Sequence, residues 1–276
     1  MTNIKSLYIF LIFIFVISTL QAQKGYELGG WLGVSNYFGD LNTEIDVFQP
    51  GLAAGVNARY NFNTRISLKS SLSMARIRAN DDFSSVAFQR QRNLDFYSNV
   101  FDWTTMGEFN FFEYIHGSKI DYWTPYLAGG FSVFRFNPKT KLDGTTYALR
   151  NFGTEGQEVG NEYLRFNAGL TIGGGIKYDI NREISINVEF TVRRLFTDYI
   201  DDVSTVYPDP AILSALRAPN GDIAQRLSRR ALNPDLIRTG TQRGNSKDND
   251  TYTFLGISVM KYFGQIECPK LSKIRM

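Results

Sequence analysis

Two consecutive segments of the chain alternate apolar and polar residues one by one, and this alternation restricts the folds open to it. In segment 164–179 the even positions except Gly174 are apolar and the odd positions are polar or glycine, and after a short turn at 180–182 the segment 183–193 keeps the same phase. Successive side chains of a strand point to opposite faces. Both segments are therefore predicted strands with one apolar and one polar face. They exceed the roughly 5–6 residues of a usual globular strand and reach the roughly 9–11 residues with which a strand crosses a membrane.

The same alternation recurs along the chain and predicts an all-β fold. Because lipid tolerates no unpaired sheet edge, the expected architecture is an eight-stranded antiparallel transmembrane up-and-down β-barrel; a soluble β-sandwich is the alternative, but it explains the long strands poorly. In the fourth strand the apolar phase changes from even positions (Phe96, Val100) to odd ones (Trp103, Phe109), which predicts a β-bulge. The eight strands are expected at about 25–38, 51–62, 66–78, 94–111, 124–136, 164–179, 183–193 and 251–263.

Short and long connections alternate between these strands. Short or medium turns are expected at 61–65, 112–123 and 180–182, and longer loops at 39–50, 79–93, 137–163 and 200–250. Outer-membrane barrels have short periplasmic turns and long external loops. We therefore expect residues 23–263 to form a barrel in the outer membrane, with a long final external loop and with both chain ends in the periplasm. Apolar residues at near-helical spacing predict two short helices within 210–232, which either cap the barrel mouth or offer a surface to a partner.

The N-terminus has the pattern of a secretory signal peptide. Lys5 precedes an apolar run at 7–17, and the segment ends at the small residue Ala22. Cleavage after Ala22 would give a signal peptide at 1–22; an N-terminal membrane helix is the alternative. The residue directly after the cut is Gln23 and not a cysteine, so a lipoprotein anchor is not expected.

Charged residues on the polar faces predict what fills the barrel. An eight-stranded barrel is just wide enough to be filled by its own side chains, and buried opposite charges must pair because an unpaired buried charge is costly. We interpret the inward charges as a network that fills the interior, with a conduction path as the alternative. The expected set is Glu27, Arg59, Lys69, Glu108, Arg165, Lys177, Glu189 and Arg193.

No pattern in the chain predicts a catalytic, cofactor or metal site, or a small-molecule substrate. His116 is the sole histidine and has no evident nucleophile near it, so it is expected to be a solvated turn residue. Gly173–Gly175 lies inside a strand and is expected to mark a bend or a close backbone approach. The net charge of +3 is spread along the chain and does not indicate nucleic-acid binding. A cation could bridge the acids that flank the longest loop, although solvated carboxylates are expected there: Asp198, Asp201, Asp202, Asp248 and Asp250.

The tail at 264–276 carries the single cysteine of the chain. An unpaired cysteine in an exported protein either stays a free thiol or pairs with another protein. Lys270, Lys273 and Arg275 make the tail basic. We expect the tail to lie in the periplasm, where Cys268 and these three cations are a candidate partner contact.

Five segments together resemble the PorG-like barrels of the type IX secretion systems of Bacteroidota. The resemblance implies a non-enzymatic outer-membrane subunit that associates with a periplasmic ring built of a lipoprotein and a partner protein. One departure is that Phe263, rather than the last residue, takes the place of a terminal aromatic residue. The segments are Asn-Tyr-Phe-Gly-Asp-Leu-Asn at 36–42, Thr-Pro-Tyr-Leu-Ala-Gly-Gly at 124–130 with Phe-Arg-Phe-Asn-Pro at 134–138, Gly-Thr-Glu-Gly-Gln at 153–157, Asp-Tyr-Ile-Asp-Asp-Val-Ser at 198–204 and Arg-Gly-Asn-Ser-Lys-Asp-Asn-Asp at 243–250.

Two functions from different classes therefore follow, and neither needs a cofactor. The first is a barrel that anchors or organises type IX protein secretion, with the periplasmic ring lipoprotein, its ring partner and outer-membrane lipids as partners. The alternative is a small surface-exposed barrel whose external loops bind a ligand or a host surface. A lipid-modifying enzyme is disfavoured because no base–nucleophile pair is evident in the sequence.

Overall fold

The computed structural model describes residues 24–43 and 49–264. The expected signal peptide at 1–22 and the tail residues Cys268, Lys270, Lys273 and Arg275 lie outside these residues. The described strands are β1 (Gly25–Phe38), β2 (Gly51–Asn61), β3 (Ile66–Asn80), β4 (Asp95–Asn110), β5 (Trp123–Arg135), β6 (Lys139–Leu142), β7 (Thr145–Ala148), β8 (Phe166–Asp179), β9 (Ile184–Leu195) and β10 (Thr251–Gly264).

Eight long strands close into one antiparallel barrel, as the alternation predicted. Around the barrel the order is β3-β2-β1-β10-β9-β8-β5-β4, and β4 pairs with β3 to complete the ring. The first and last strands pair along their whole length, from Gly25 opposite Gly264 to Phe38 opposite Thr251; we call this pairing the seam. Three turns (62–65, 111–122 and 180–183) connect strands at the end where β1 begins and β10 finishes, the short-turn end. The opposite end is the long-loop end.

The bulge predicted in β4 is wrong. The register between β3 and β4 runs without interruption from Ile66 opposite Phe109 to Asn80 opposite Asp95. Even-numbered side chains of β4 face inward throughout, so Phe96 and Val100 are buried inside the barrel. The strand is 16 residues long, more than the roughly 9–11 that a membrane crossing needs, and its excess length lies at the long-loop end.

At the long-loop end the barrel interior becomes apolar. Ile77, Phe96, Val100, Phe134 and Tyr252 are all fully buried there and belong to one hydrophobic cluster. The described parts of the four long connections (39–43 with 49–50, 81–94, 136–165 and 196–250) fold over this cluster, and we call them the loop cap. In β4 the apolar residues near the loop cap, Phe96 and Val100, therefore face inward against the buried cluster, whereas those farther along, Trp103 and Phe109, face outward toward lipid. This difference explains the change from even to odd apolar positions.

The loop cap contains more regular structure than the sequence indicated. Residues 137–163 were expected to be an irregular loop, but β6 and β7 form a hairpin within them. Its turn is Asp143-Gly144, with both residues at positive φ, the Asp-Gly pair that two-residue hairpins favour. The two helices expected in 210–232 are confirmed at Pro210–Leu216 and Gly221–Ser228, and Asp209 caps the first by accepting from the Ala211 and Ile212 amides.

The outer face of the barrel is apolar around its middle. Leu32, Leu52, Phe131 and Ile172 are each at least 65% exposed, and Leu32, Leu52 and Ile172 lie on the apolar faces that the alternation predicted. A monomer in water rarely carries so large an exposed apolar surface, whereas an outward apolar band with aromatic residues at its edges characterises outer-membrane-type barrels. No helix in the described part of the chain is long and apolar enough to cross a membrane.

Candidate functional site

A cluster of charged side chains fills the barrel below the apolar core. Glu108 lies at its centre: its Oε2 is 2.8 Å from Nε of Arg59 and 2.6 Å from Nζ of Lys177, and its Oε1 is 3.5 Å from Nζ of Lys69. Arg59 also reaches Glu27, with Nη1 at 2.8 Å from Oε2, and Lys69 contacts Glu189. Three carboxylates thus meet three cations, so the buried charges balance. We call Glu27, Arg59, Lys69, Glu108, Lys177 and Glu189 the interior network.

Two residues of the expected set lie elsewhere. Arg193 is buried, but it faces Asp102, with Nε at 3.1 Å from Oδ2, and Tyr252 also donates to Asp102. Arg165 is not in the interior: it precedes β8 at the long-loop end and donates to the Asn151 side chain in the loop cap. The alternating segment begins at residue 164, whereas β8 begins at Phe166. Arg165 was therefore wrongly assigned to the inward face of the strand.

The glycine run in β8 leaves room for an inward tyrosine. A Cβ atom at Gly175 would lie 2.1 Å from the Val188 carbonyl oxygen and 3.1 Å from the Tyr126 ring. The close backbone approach expected for Gly173–Gly175 is therefore confirmed. Tyr126 uses this space to donate to Glu189 of the interior network.

His116 is buried and not solvated as expected. It is 3% exposed, because the turn 111–122 folds back into the mouth of the barrel. Its Nδ1 lies 3.0 Å from Oδ1 of Asp179, its Nε2 lies 3.3 Å from Oε1 of Glu27, and its ring stacks on Tyr262 at 4.2 Å. Since Glu27 belongs to β1 and Tyr262 to β10, the histidine spans the seam at the short-turn end.

Four of the five acids that flank the longest loop are buried and not solvated as expected, whereas Asp248 is exposed as expected. Asp201, Asp202 and Asp250 are at most 1% exposed. The Tyr37 hydroxyl oxygen lies 2.5 Å from Oδ2 of Asp201 and 3.0 Å from Oδ1 of Asp250. The single hydroxyl proton of Tyr37 thus serves two carboxyl groups from opposite ends of the longest loop. This group spans the seam at the long-loop end.

Burial sets the protonation of these loop carboxyls. Burial raises the pKa of Asp198 to about 8, and the nearby carboxyls of Asp40 and Glu155 add to the effect. Burial likewise raises the pKa of Asp202 to about 6, although Arg243 opposes the rise. Burial also raises the pKa of Asp201 and the pKa of Asp250 well above the usual range; the Asp40 carboxyl adds to the rise at Asp201, and the Asp201 carboxyl adds to the rise at Asp250.

Arg243 links three parts of the loop cap. Its Nη1 is 2.9 Å from Oε1 of Glu155 and 2.6 Å from the Asp202 carbonyl oxygen. Glu155 in turn accepts from the Ser204 and Thr205 amides. Nothing in the local sequence pattern indicated this pairing, because its partners are up to 88 positions apart.

No metal centre accompanies these acids. In residues 24–43 and 49–264, no group of three or more His, Cys, Asp or Glu side chains is arranged to hold a metal ion. Inside the barrel, a cavity of about 20 Å³ is lined by Trp31, Glu189 and Arg193 among others, which is room for about one water molecule.

Several solved outer-membrane proteins are similar to the chain at low identity. They include neisserial surface protein A (10% identity, TM-score 0.44, covering 88% of this chain and 100% of that one) and OprG from Pseudomonas aeruginosa (10%, 0.42, 88% and 98%). A third is E. coli Outer Membrane Protein W (13%, 0.37, 88% and 100%). No protein with a curated description matches the chain. The model of the family described as domain of unknown function DUF6089 matches residues 5–223, more than half of the sequence, and the chain therefore belongs to this family.

Proposed function

We propose that this protein is a non-enzymatic outer-membrane barrel that anchors or organises the type IX protein secretion machinery through a periplasmic ring complex. The proposal rests on the resemblance of five segments to PorG-like barrels, and one observation carries it further. Four of these segments, 36–42, 153–157, 198–204 and 243–250, meet in the loop cap and at its edge.

The contacts between these segments join parts of the chain that are far apart in sequence. Tyr37 in the first segment contacts Asp201 in the third and Asp250 in the fourth. Asp40 accepts from the Asn245 amide at 2.9 Å. In the remaining segment, 124–130 with 134–138, Phe134 and Phe136 belong to the apolar core beneath. The resembling residues at the long-loop end therefore form one structural unit, as expected of features that define a family of barrels.

The alternation of loop lengths supports the orientation in this proposal. With the long-loop end outside, the short-turn end and both chain termini face the periplasm, where the ring would lie. The basic tail with Cys268 then continues from β10 into the same compartment, and it remains our candidate contact with the ring lipoprotein or its partner.

Co-purification from detergent tests the proposal. The tagged full-length protein is expected to bring down a periplasmic lipoprotein and its ring partner. A variant that lacks residues 268–276 is expected to insert normally but to lose the ring, whereas Arg243→Gln, which disturbs only the loop cap, is expected to keep it. If the truncated protein retains the ring, the turns at the short-turn end become the contact. If the full-length protein brings down no periplasmic partner, the secretion role is wrong.

A second candidate function is a surface barrel whose loops bind a ligand or a host surface. It is favoured by apolar side chains exposed on the loop cap, among them Phe88, Ile212 and Leu232. A cleft of about 240 Å³ lies beside Phe88 and Tyr207. Loss of surface binding by Phe88→Ser, with ring co-purification unchanged, would favour this second function.

A further inference from the structure

The outer face of β3 changes character near the long-loop end. Its outward residues are apolar at Leu68, Leu72 and Met74, and the next two outward residues are Arg76 and Arg78, both exposed. The guanidinium groups of Arg76 and Arg78 therefore lie just beyond the edge of the apolar band. At this depth a barrel side chain meets the headgroups of the surrounding lipid rather than its acyl chains.

Arg76 and Arg78 line a cleft of about 450 Å³ on the outer rim of the barrel, together with Phe83, Tyr97 and Lys141; we call it the rim cleft. The Arg76 guanidinium lies over the Tyr97 ring at 4.4 Å. Arg78 pairs with Tyr97 across the β3–β4 ladder and donates to the Pro50 carbonyl at 3.1 Å. Stacking and hydrogen bonding thus orient both guanidinium groups toward the cleft.

The rim cleft has an excess of positive charge. Within the described residues, Arg76, Arg78 and Lys141 form no ion pair. One carboxylate, Asp95, lines the cleft, but it is already bound by Arg230 and accepts from the Thr140 hydroxyl at 2.8 Å. Among residues 24–43 and 49–264, three cations therefore lie at the edge of the apolar band without a carboxylate partner of their own.

An apolar groove continues from the rim cleft toward the middle of the membrane. It has a volume of about 400 Å³. Most of its lining is apolar (Leu72, Phe101, Trp103, Val133 and Phe166), and Ser73, Asp102 and the exposed Arg135 complete it. Phe101 pairs with Met74, one outward step below Arg76. A cationic cleft directly above an apolar groove matches an anionic lipid, with its charge at the rim and its acyl chain along the barrel wall.

We propose that the rim cleft and this groove bind an outer-leaflet glycolipid through a phosphate group on its sugar headgroup. Arginine presents a planar fork of donors that matches a phosphate in two-point contact, and Lys141 adds a point charge. The assignment to the outer leaflet rests on the orientation in the proposed function. The cationic cleft itself does not depend on the secretion partner.

Native mass spectrometry of the purified full-length protein tests this binding. The probes are bis-phosphorylated lipid A, lipid A from which both phosphates have been removed, phosphatidylglycerol and inorganic phosphate. The wild-type protein is expected to retain bis-phosphorylated lipid A at least about tenfold better than the dephosphorylated form. Arg76→Gln with Arg78→Gln is expected to abolish that preference. Arg194→Gln removes an outward-facing charge on β9, on the opposite side of the barrel, and is expected to leave it unchanged.

Several results would overturn the proposal. Equal retention of lipid A with and without phosphates would show that the groove alone binds the lipid. An equal loss in the Arg194→Gln control would indicate a general charge effect. Stronger retention of phosphatidylglycerol, or displacement of lipid A by millimolar inorganic phosphate, would point to a different ligand. Heat-modifiable gel mobility confirms that each variant is folded. Since no ring component is present in this assay, its result and the co-purification result are independent.

Discussion

Replacing Glu108 by glutamine is the most direct test of how the barrel interior is stabilised. The substitution keeps the size of the side chain but removes the negative charge that contacts Arg59, Lys177 and Lys69 at 2.8, 2.6 and 3.5 Å. The interior network then holds two carboxylates and three cations, all within a region from which water is largely excluded. Removing one partner of a buried ion pair costs about 3–5 kcal/mol, because the remaining charge stays buried without compensation.

The free energy of unfolding in detergent measures this effect. Urea unfolding followed by tryptophan fluorescence, with heat-modifiable gel mobility as a second readout, is expected to show Glu108→Gln destabilised by about 3–5 kcal/mol. Ser73→Ala is the matched control, since Ser73 also faces inward and its Oγ has no hydrogen-bond partner among the described residues; its cost is expected to stay within about 0.5 kcal/mol.

A second substitution separates charge from packing. Combining Glu108→Gln with Lys177→Met restores the balance of two carboxylates and two cations, so the double variant is expected to recover part of the lost stability, with a coupling of about 0.5–3 kcal/mol. If the free energy of unfolding of Glu108→Gln lies within about 0.5 kcal/mol of the wild-type value, the ion pairs of the interior network do not stabilise the barrel.

Three further predictions concern the lipid face, the orientation and the seam. Val188→Arg places a charge on the apolar band and is expected to cost roughly 2–4 kcal/mol and to disturb insertion, whereas the neighbouring inward substitution Asn187→Ala is expected to be milder; equal effects in a membrane-insertion assay would contradict the assignment of the two faces. A tag inserted near Asn220, between the two cap helices, is expected to be reached by antibody on intact cells, and labelling only after permeabilisation would reverse the orientation. Burial opposes the charged form of His116, but hydrogen bonds with Asp179 and Glu27 outweigh it and raise its pKa above 6.5. Its contribution to stability is therefore expected to be complete below pH 6.5 and to be lost as the pH rises through the raised pKa. Comparing unfolding of the wild type and His116→Gln across this range measures that contribution, and a difference that does not change with pH would contradict it.

The sequence predicted the barrel because strand alternation is a local property. Each lipid-facing strand shows its two faces within about ten residues, and most strand bounds agree with the expected ones to within two residues. The alternation was misleading in two places: at Arg165, where the pattern begins before the strand, and in β4, where the surroundings change along one strand. Phe96 and Val100 are apolar because the loop cap covers them, and a rule that assigns every apolar residue to lipid cannot distinguish that case from a bulge.

The buried polar clusters could not be predicted, because their partners come together only through the closed barrel. His116 contacts Glu27 from 89 positions away and Asp179 from 63. Asp201 and Asp250 share the Tyr37 hydroxyl across more than 160 residues of sequence. In an isolated turn or loop, such residues are solvated in most proteins, so local reasoning favours the solvated state.

The seam has a consequence for how the protein is made. β1 is the first strand of the chain and β10 the last, so a partly assembled sheet keeps two unpaired edges until these two strands pair. Open edges of this kind invite pairing with other chains and must be shielded until β10 arrives. The two groups that bridge the seam, His116 with Tyr262 at one end and Tyr37 with Asp250 at the other, can form only after that last pairing. These two groups hold β1 and β10 together at both ends of the seam, and separating the two strands would require breaking the contacts of both groups.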